Sequence, residues 1–147
     1  QLIKDSSKVR VGLPDYIIVM RKPGDRQIAI AHDPQDISPN EWKELASPIW
    51  LDINQSNTLN KQKGEKDERH ISALQLDVIQ RLLRLYSNKG DLVLSPFAGI
   101  GSEGYMAIKY ERRFIGVELK PEYYEQAIGN LKQAELEIKQ DLLIEVL

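Results

Sequence analysis

The chain has 147 residues, of which 41% are hydrophobic and 29% charged, and this composition suits one ordinary globular domain. A formal net charge of -2 excludes a global basic field that would draw the chain to nucleic acid or anionic membranes, although a local patch can still bind DNA. The absence of cysteine excludes disulfides and thiolate metal sites, and no apolar run approaches the roughly 20 residues that span a bilayer. We therefore expect a cytoplasmic protein without a secretory leader or metal site, and, because it begins with Gln1, a piece of a longer protein.

The first half of the chain contains few clear elements. Residues 15–22 (DYIIVMRK) place β-branched residues between proline breaks, which predicts a strand. Ser38, with Glu41 three residues later, is typical of a helix N-terminus and predicts a short helix over 39–45. Residues 55–69 are polar and charged without periodicity, and we expect them to form an exposed, mobile loop.

The second half alternates helices and strands. Apolar spacing, β-branched runs and glycine or proline breaks predict, in chain order, a helix over 74–86, a strand over 91–94, a helix over 101–110, a strand over 112–118 and a helix over 121–136. Two strands joined by a crossover helix form a βαβ unit, in which the strands are parallel. Ligands of such sheets bind beyond the carboxyl ends of the strands.

The last predicted helix raises two structural expectations. Tyr124, Ile128 and Leu131 share one face, which we expect to pack on the core. The apolar end of the chain, over 142–147, is compatible with a strand and with an extension of this helix, and the sequence leaves both open.

The turn after the first strand of the βαβ unit carries a glycine motif. Gly99, Gly101 and Gly104 match the G-x-G-x-x-G fingerprint of dinucleotide-binding proteins, in which glycines permit positive φ and close approach of a ligand. Glu118 closes the following strand, where a carboxylate can accept hydrogen bonds from ribose hydroxyls. The motif therefore predicts a site for the adenosine part of a cofactor, with a packing-only role for the glycines as the alternative.

Two residues favour S-adenosylmethionine over a nicotinamide dinucleotide. Glu103 lies in the first turn of the predicted helix, where its charge competes with a phosphate for the helix N-terminus. Phe97 adds an aromatic ring that can stack on adenine. A cationic sulfonium without phosphate suits this turn better, and the nicotinamide cofactor remains the alternative.

Several segments resemble one family. SPFAGIGSEG followed by FIGVELKPEYYEQAIGNL closely resembles the S-adenosylmethionine-binding segment of DNA methyltransferases that modify exocyclic amino groups of adenine or cytosine. ERHISALQLDVIQRLL is similar to the motif that precedes this segment, DYIIVMRK resembles the strand that closes the catalytic half, and SPIWLDIN resembles a stretch before the family's mobile loop. The combination looks most like methyltransferases of phages and prophages.

The resemblance implies a fold, a cofactor and a set of cofactor contacts. The fold would be α/β, a partial Rossmann-like class I methyltransferase fold with a βαβ cofactor-binding unit, and the cofactor S-adenosylmethionine. Ser95 stands where the family has Asp, Ser102 keeps the hydroxyl of the family's Thr, and Glu118 would bind the ribose. The implied cofactor-binding residues are His70, Ser72, Leu74, Ser95, Phe97, Ala98, Gly99, Gly101, Ser102, Glu118 and Leu119.

The resemblance also divides the chain. It implies the end of a catalytic half over 1–24, a variable, target-recognition-like segment over 25–69, an S-adenosylmethionine-binding region over 70–138 and a C-terminal tail over 139–147.

The family's catalytic loop, (Asp/Asn/Ser)-Pro-Pro-aromatic, is not found in this chain. Its nearest approximation is SPIW at 47–50, which is out of order for the family, and we interpret Trp50 as a packing residue. We therefore expect no catalytic residue in this chain and no activity from it alone. The loop would come from a missing N-terminal half or a partner chain; a homo-oligomer or a non-catalytic cofactor-binding module are the alternatives.

DNA is the implied substrate. Lys61, Lys63, Lys66 and Arg69 form a basic stretch that is interleaved with acidic residues. Contact with DNA phosphates and a solvated loop are both compatible with this pattern.

Overall fold

The computed structural model of the chain describes residues 15–32, 37–59 and 73–145. Across these ranges, no helix is both long and apolar enough to cross a membrane. The elements in chain order are α1 (Pro39–Leu45), α2 (Leu76–Tyr86), β1 (Leu92–Ser95), α3 (Ser102–Lys109), β2 (Arg113–Gly116) and α4 (Pro121–Glu145).

The two strands form a parallel pair, and α3 is the crossover helix between them. The register pairs Leu92 with Arg113 and Ser95 with Gly116. The βαβ unit predicted from the sequence is therefore confirmed, and the mixed α/β class with it. Strand β1 begins and ends one residue later than predicted, and β2 is shorter than predicted at both ends.

The core lies between α2, α3 and one face of the sheet. Ile79 and Leu83 of α2 pack against Met106 and Ala107 of α3. Val93 and Phe114, from the covered face of the two strands, pack against this cluster. The alternation of strand side chains thus places one set of residues in the core and the other set on the opposite face.

Gly104 allows α3 to pack closely against its neighbours. A Cβ at this position would lie 2.6 Å from side-chain carbons of both Phe114 and Leu131. Since Phe114 belongs to β2 and Leu131 to α4, the missing side chain brings the crossover helix against the sheet and α4 together.

The opposite face of the sheet carries an exposed apolar patch, which we call the bare face. Its side chains are between 49% and 62% exposed, and they belong to Leu92, Leu94, Ile115 and Val117. Parallel sheets in proteins are normally covered on both faces, whereas the part of the chain that the structure describes leaves this apolar face exposed.

The predicted short helix over 39–45 is confirmed as α1. The Ser38 side chain accepts a hydrogen bond from the Glu41 backbone N–H at 3.2 Å, as the capping pattern predicts. Glu41 also forms an ion pair with Arg84 of α2 at 2.6 Å, and this hydrogen bond lowers the pKa of Glu41. The contact ties the first half of the chain to the α2–α3 core.

The strand predicted over 15–22 is wrong. These residues form neither helix nor strand, and their five apolar side chains, Tyr16 to Met20, are exposed. A strand needs a neighbour for its backbone hydrogen bonds, and the described ranges supply none beside this segment.

Two expectations for the last helix have clear outcomes. The helix continues to Glu145, so the chain's end extends it as far as it is described. Tyr124, however, is 54% exposed and does not belong to the packed face. That face carries Ala127 and Ala134, which are small residues that let α4 lie close to α3.

The predicted loop over 55–69 lies mostly outside the described residues. Positions 55–59 contain neither helix nor strand, in agreement with the prediction. Positions 60–69, including the basic stretch, are not described.

Candidate functional site

The site is built on the segments that follow the two parallel strands. Hydrogen bonding continues beyond the strands, because the Val117 N–H donates to the Ser95 carbonyl and the Ala98 N–H to the Val117 carbonyl, both at 2.9 Å. The Gly101 N–H then donates to the Ala98 carbonyl at 2.7 Å and closes a tight turn. Residues 96–101 therefore have a defined path beside the end of β2.

Gly99 and Gly101 both have left-handed backbone conformations, with φ of 52° and 82°. A Cβ at Gly101 would lie 3.0 Å from the Cβ of Ala127 in α4, so this glycine is required for packing as well as for the turn. Among the described residues, no atom lies within 4 Å of the position that a Cβ at Gly99 would take. The first glycine thus borders open space and the second a packed helix, and a ligand can approach the backbone only at the first.

Glu118 connects the two segments. One carboxylate oxygen accepts the Gly99 N–H at 2.7 Å, and the other accepts the Lys120 N–H at 2.9 Å. These hydrogen bonds, with that from Lys120 the stronger influence, lower the pKa of Glu118 and favour its ionised form. An ionised carboxylate has about four acceptor positions, so it can accept from hydroxyl donors of a ligand beside these backbone N–H groups.

Two apolar side chains flank this carboxylate and are open to solvent. Phe97 is 86% exposed and Leu119 is 93% exposed. The Ala98–Val117 and Gly99–Glu118 hydrogen bonds hold the two segments together, so Phe97 and Leu119 both lie on segments at this edge of the molecule. An exposed aromatic ring and an exposed leucine beside a glycine turn can cover the faces of a planar, apolar ring.

Three predicted cofactor residues at the turn are buried, namely Ser95, Ala98 and Ser102. Ser95 ends β1, and Ser102 is the first residue of α3. The structure thus brings eight predicted cofactor residues together at this edge of the sheet: Ser95, Phe97, Ala98, Gly99, Gly101, Ser102, Glu118 and Leu119.

The other three predicted cofactor residues do not join this group. Leu74 is 41% exposed and precedes α2, and the hydrogen bonds that build the turn do not involve it. His70 and Ser72 lie outside the described residues. The hydrogen bonds that the structure describes at the turn therefore include none from the upstream motif.

Trp50 behaves as the packing residue that the sequence predicts. Its indole N–H donates to the Leu45 carbonyl at 3.0 Å, and the guanidinium of Arg81 lies 5.1 Å from the ring centroid. These contacts connect the segment after α1 to α2 and leave the indole half-buried.

Sequence reasoning missed two contributions of α4 to the turn. The Asn130 side-chain amide donates to the Ile100 carbonyl at 2.8 Å, and Ala127 faces Gly101. Ala127, Asn130, Leu131 and Ala134 have the 3, 4 and 7 spacing of one helix face, which was the available signal. The sequence analysis instead assigned the packed face by the larger side chains of Tyr124 and Ile128.

The chemistry of this site is that of binding through backbone amides, a carboxylate and apolar surfaces. No group of three or more His, Asp or Glu side chains that could hold a metal ion occurs among the residues the structure describes. The turn offers an open backbone at Gly99, an ionised carboxylate at Glu118 and apolar walls, which fit a ribose and a planar base.

Comparisons with known proteins identify the family of the chain. The model of a DNA methylase family, which groups N6 and N4 methyltransferases, matches residues 11–129. The type II methyltransferase M.BglI of Bacillus subtilis is 30% identical over 119 residues, which are 80% of this chain and 30% of the relative. The DNA adenine methyltransferase YhdJ of Escherichia coli K12 is 29% identical over 120 residues, which are 82% of this chain and 39% of that protein.

A solved structure gives the same result. The putative DNA modification methylase TTHA0409 of Thermus thermophilus, in complex with S-adenosyl-L-methionine, matches with a TM-score of 0.58 and 28% identity. The match covers 83% of this chain and 48% of that one, so the chain spans about half of the solved relative and about a third of the curated ones. By its sequence match and its fold, the chain belongs to the DNA methylase family of N6 and N4 methyltransferases.

Proposed function

We propose that this chain is the S-adenosylmethionine-binding part of a DNA methyltransferase that acts on an exocyclic amino group of adenine or cytosine. The observation that carries the proposal is the Glu118 carboxylate, which is bonded to the Gly99 N–H beside open space at the ends of two parallel strands. The methyl donor S-adenosylmethionine would supply the methyl group that the base amine receives.

Four residues of the site have distinct parts in this proposal. Glu118 would accept the ribose hydroxyls, while its hydrogen bonds from the backbone N–H groups of Gly99 and Lys120 fix its orientation. Phe97 and Leu119 cover the adenine, and burying these exposed side chains would add to the binding free energy. Gly99 lets the ligand approach the backbone of the turn.

The catalytic loop would come from polypeptide beyond this chain, either an N-terminal half or a partner. Two findings support this part of the proposal: the chain spans only 48% of the solved relative, and the residues that the structure describes leave the bare face of the sheet exposed. Residues 70–138 would then hold the cofactor, 25–69 would contribute to target recognition, and this chain alone would orient the cofactor without transferring the methyl group. The resemblance to phage and prophage enzymes and the DNA contacts of the 61–69 stretch belong to the same proposal.

Calorimetric titration with S-adenosylmethionine tests the assignment. The wild-type chain should bind, and Glu118→Ala should lose at least about tenfold in affinity because the ribose hydroxyls lose their acceptor. Glu125→Ala, an exposed acid at the start of α4, is the matched control and should bind like the wild type. Parallel titration with NAD should give no binding.

Thermal unfolding of Glu118→Ala without ligand is measured beside the titration. It shows how much the loss of the carboxylate destabilises the chain, since Glu118 also accepts a hydrogen bond from the turn. A wild-type chain that fails to bind S-adenosylmethionine, or that binds NAD instead, contradicts the proposal. Equal affinities of the wild type and Glu118→Ala would contradict the role of the carboxylate.

A further inference from the structure

The peptide group that joins Ile100 to Gly101 is held from both sides. Its N–H, which belongs to Gly101, donates to the Ala98 carbonyl at 2.7 Å. Its carbonyl, which belongs to Ile100, accepts the side-chain amide of Asn130 at 2.8 Å. Ile100 is buried, and a buried carbonyl oxygen requires a hydrogen-bond donor. Rotation of this peptide would break both hydrogen bonds, so Asn130 helps to fix its orientation.

The turn needs such support because two of its residues are glycines in the left-handed region. Gly99 and Gly101 have no side chain to restrict rotation, and ordering a glycine costs more conformational entropy than ordering any other residue. The Gly99 N–H is held by Glu118, which follows β2. The Ile100 carbonyl is held by Asn130, which belongs to α4. The turn is thus fixed by one side chain from the end of the sheet and by one from a helix.

The amide of Asn130 has a well-anchored position in α4. Ala127, about one helical turn before Asn130, lies against Gly101. About two helical turns after Asn130, the Glu137 carboxylate accepts the Tyr105 hydroxyl of α3 at 2.6 Å. Asn130 therefore lies between one contact that holds α4 on the turn and another that holds α4 on α3.

We propose that Asn130 is a positioning residue for the cofactor, because it holds the Ile100–Gly101 peptide in the orientation in which the turn receives S-adenosylmethionine. The inference rests on the proposed function and adds to it a residue that acts through the backbone of the turn. A turn that is ordered before the ligand arrives avoids an ordering cost on binding. Without the Asn130 amide, only a fraction of the chains has a competent turn, and the apparent affinity falls by that fraction.

Calorimetric titration of the full chain with S-adenosylmethionine compares the wild type with Asn130→Ala and Asn130→Asp. Both variants lose the amide donor, and Asn130→Asp keeps the size of the side chain. Asn130→Ala should bind about tenfold more weakly, which corresponds to about one chain in ten with a competent turn. Asn130→Asp should lose at least as much affinity, because its ionised carboxylate only accepts hydrogen bonds and faces the Ile100 carbonyl.

Hydrogen exchange of the chain without ligand measures the orientation of the peptide itself. In Asn130→Ala, the Gly101 N–H should exchange faster than in the wild type, because the peptide rotates away from the Ala98 carbonyl. The Tyr110 N–H donates to the Met106 carbonyl at the other end of α3 and should exchange at the wild-type rate. A loss of overall stability would instead accelerate the exchange of both amides.

Tyr105→Phe is the matched control, because it removes a hydrogen bond between α3 and α4 that does not involve the turn. Thermal unfolding should show a lower midpoint for Tyr105→Phe, as for Asn130→Ala. Its affinity for S-adenosylmethionine should nevertheless equal that of the wild type.

The outcomes are distinct. Wild-type affinity in both Asn130 variants would overturn the inference and leave the proposed function in place. An equal loss of affinity in Tyr105→Phe, or faster exchange of both amides in Asn130→Ala, would attribute the effect to stability and overturn the inference as well. A wild-type chain that does not bind S-adenosylmethionine would refute the proposed function, and this inference with it.

Discussion

At the scale of single residues, the two left-handed glycines of the turn have different surroundings. Gly101 contacts Ala127 of α4, whereas Gly99 borders open space. Substitution at each should therefore affect a different property, although both residues have positive φ.

We expect Gly101→Ala to lower the free energy of unfolding by about 2–3 kcal/mol, from backbone strain and the contact with Ala127. Gly99→Ala should cost only about 1 kcal/mol of strain, yet its methyl group would enter the space left for the ligand. Chemical denaturation measures the first effect, and titration with S-adenosylmethionine measures the second.

Gly24 provides the matched control, because it also has positive φ and open surroundings but lies far along the chain from the turn. Gly24→Ala should resemble Gly99→Ala in stability and the wild type in affinity. Full affinity in Gly99→Ala would show that the ligand does not approach this part of the backbone.

The residues of the turn were predictable because their chemistry is local. The glycines, Phe97 and Glu118 occur within 22 positions, in a pattern that fixes their place at the ends of two strands. The contributions of Ala127 and Asn130 were not predictable from that pattern, because they depend on how closely α4 approaches the turn. An alanine adds little to a hydrophobic pattern, whereas in the structure the small side chain of Ala127 is what allows α4 to approach Gly101.

At the scale of elements, a polar cluster joins α3 to α4. The Tyr105 hydroxyl donates to the Glu137 carboxylate at 2.6 Å, and Lys109 and Gln133 donate to it at 2.9 and 3.2 Å. These hydrogen bonds, led by that of Tyr105, lower the pKa of Glu137 from 4.5 to about 2. The helix pair that carries the turn is thus held by a carboxylate that must be ionised.

This cluster should make stability depend on pH. Because the folded-state pKa of Glu137 is below its unfolded value, its contribution is complete above pH 4.5 and is lost as the pH falls towards 2. We expect Glu137→Gln to cost about 1–2 kcal/mol at neutral pH, a value reduced by partial solvent exposure. Urea denaturation at a series of pH values measures the difference, which should shrink on acidification.

Glu135→Gln is the control, since Glu135 is exposed on the same helix. It should unfold like the wild type throughout the series. A deficit in Glu137→Gln that stays constant from neutral to acidic pH would contradict the assignment, because a packing defect does not titrate.

Elements with local signals were predicted well, and elements that depend on a partner were not. The cap at Ser38 and the stripe of α2 define their helices without help from distant residues. The segment over 15–22 has the composition of a strand, yet composition supplies no neighbour to pair with. Its failure to form a strand reflects the missing neighbour rather than a misread pattern.

At the scale of the whole molecule, we expect the bare face to control how the chain associates in solution. Leu94 and Ile115 are opposite each other in the register and lie at its centre. An exposed apolar surface of this kind favours association, so we expect the isolated chain to form oligomers whose size increases with concentration. Sedimentation velocity measures this distribution.

Replacing both residues, as Leu94→Gln with Ile115→Gln, should shift the distribution towards monomer while changing the thermal midpoint little. The pair Leu136→Gln with Leu143→Gln, exposed apolar positions on α4, serves as the control and should leave association unchanged. A wild-type chain that stays monomeric at high concentration would contradict the expectation. So would a double variant of the bare face that associates as strongly as the wild type.

The hydrogen bonds that shape the turn have a consequence for how the chain folds. The hydrogen bond between Gly99 and Glu118 joins residues 19 positions apart, and the hydrogen bond between Ile100 and Asn130 joins residues 30 positions apart. Closing loops of this length requires only a modest loss of chain entropy, and folds dominated by short separations form rapidly. The glycine turn should therefore form in an early folding step, as soon as α4 docks on α3. The remaining tertiary contacts would then form around a turn that already has its final conformation.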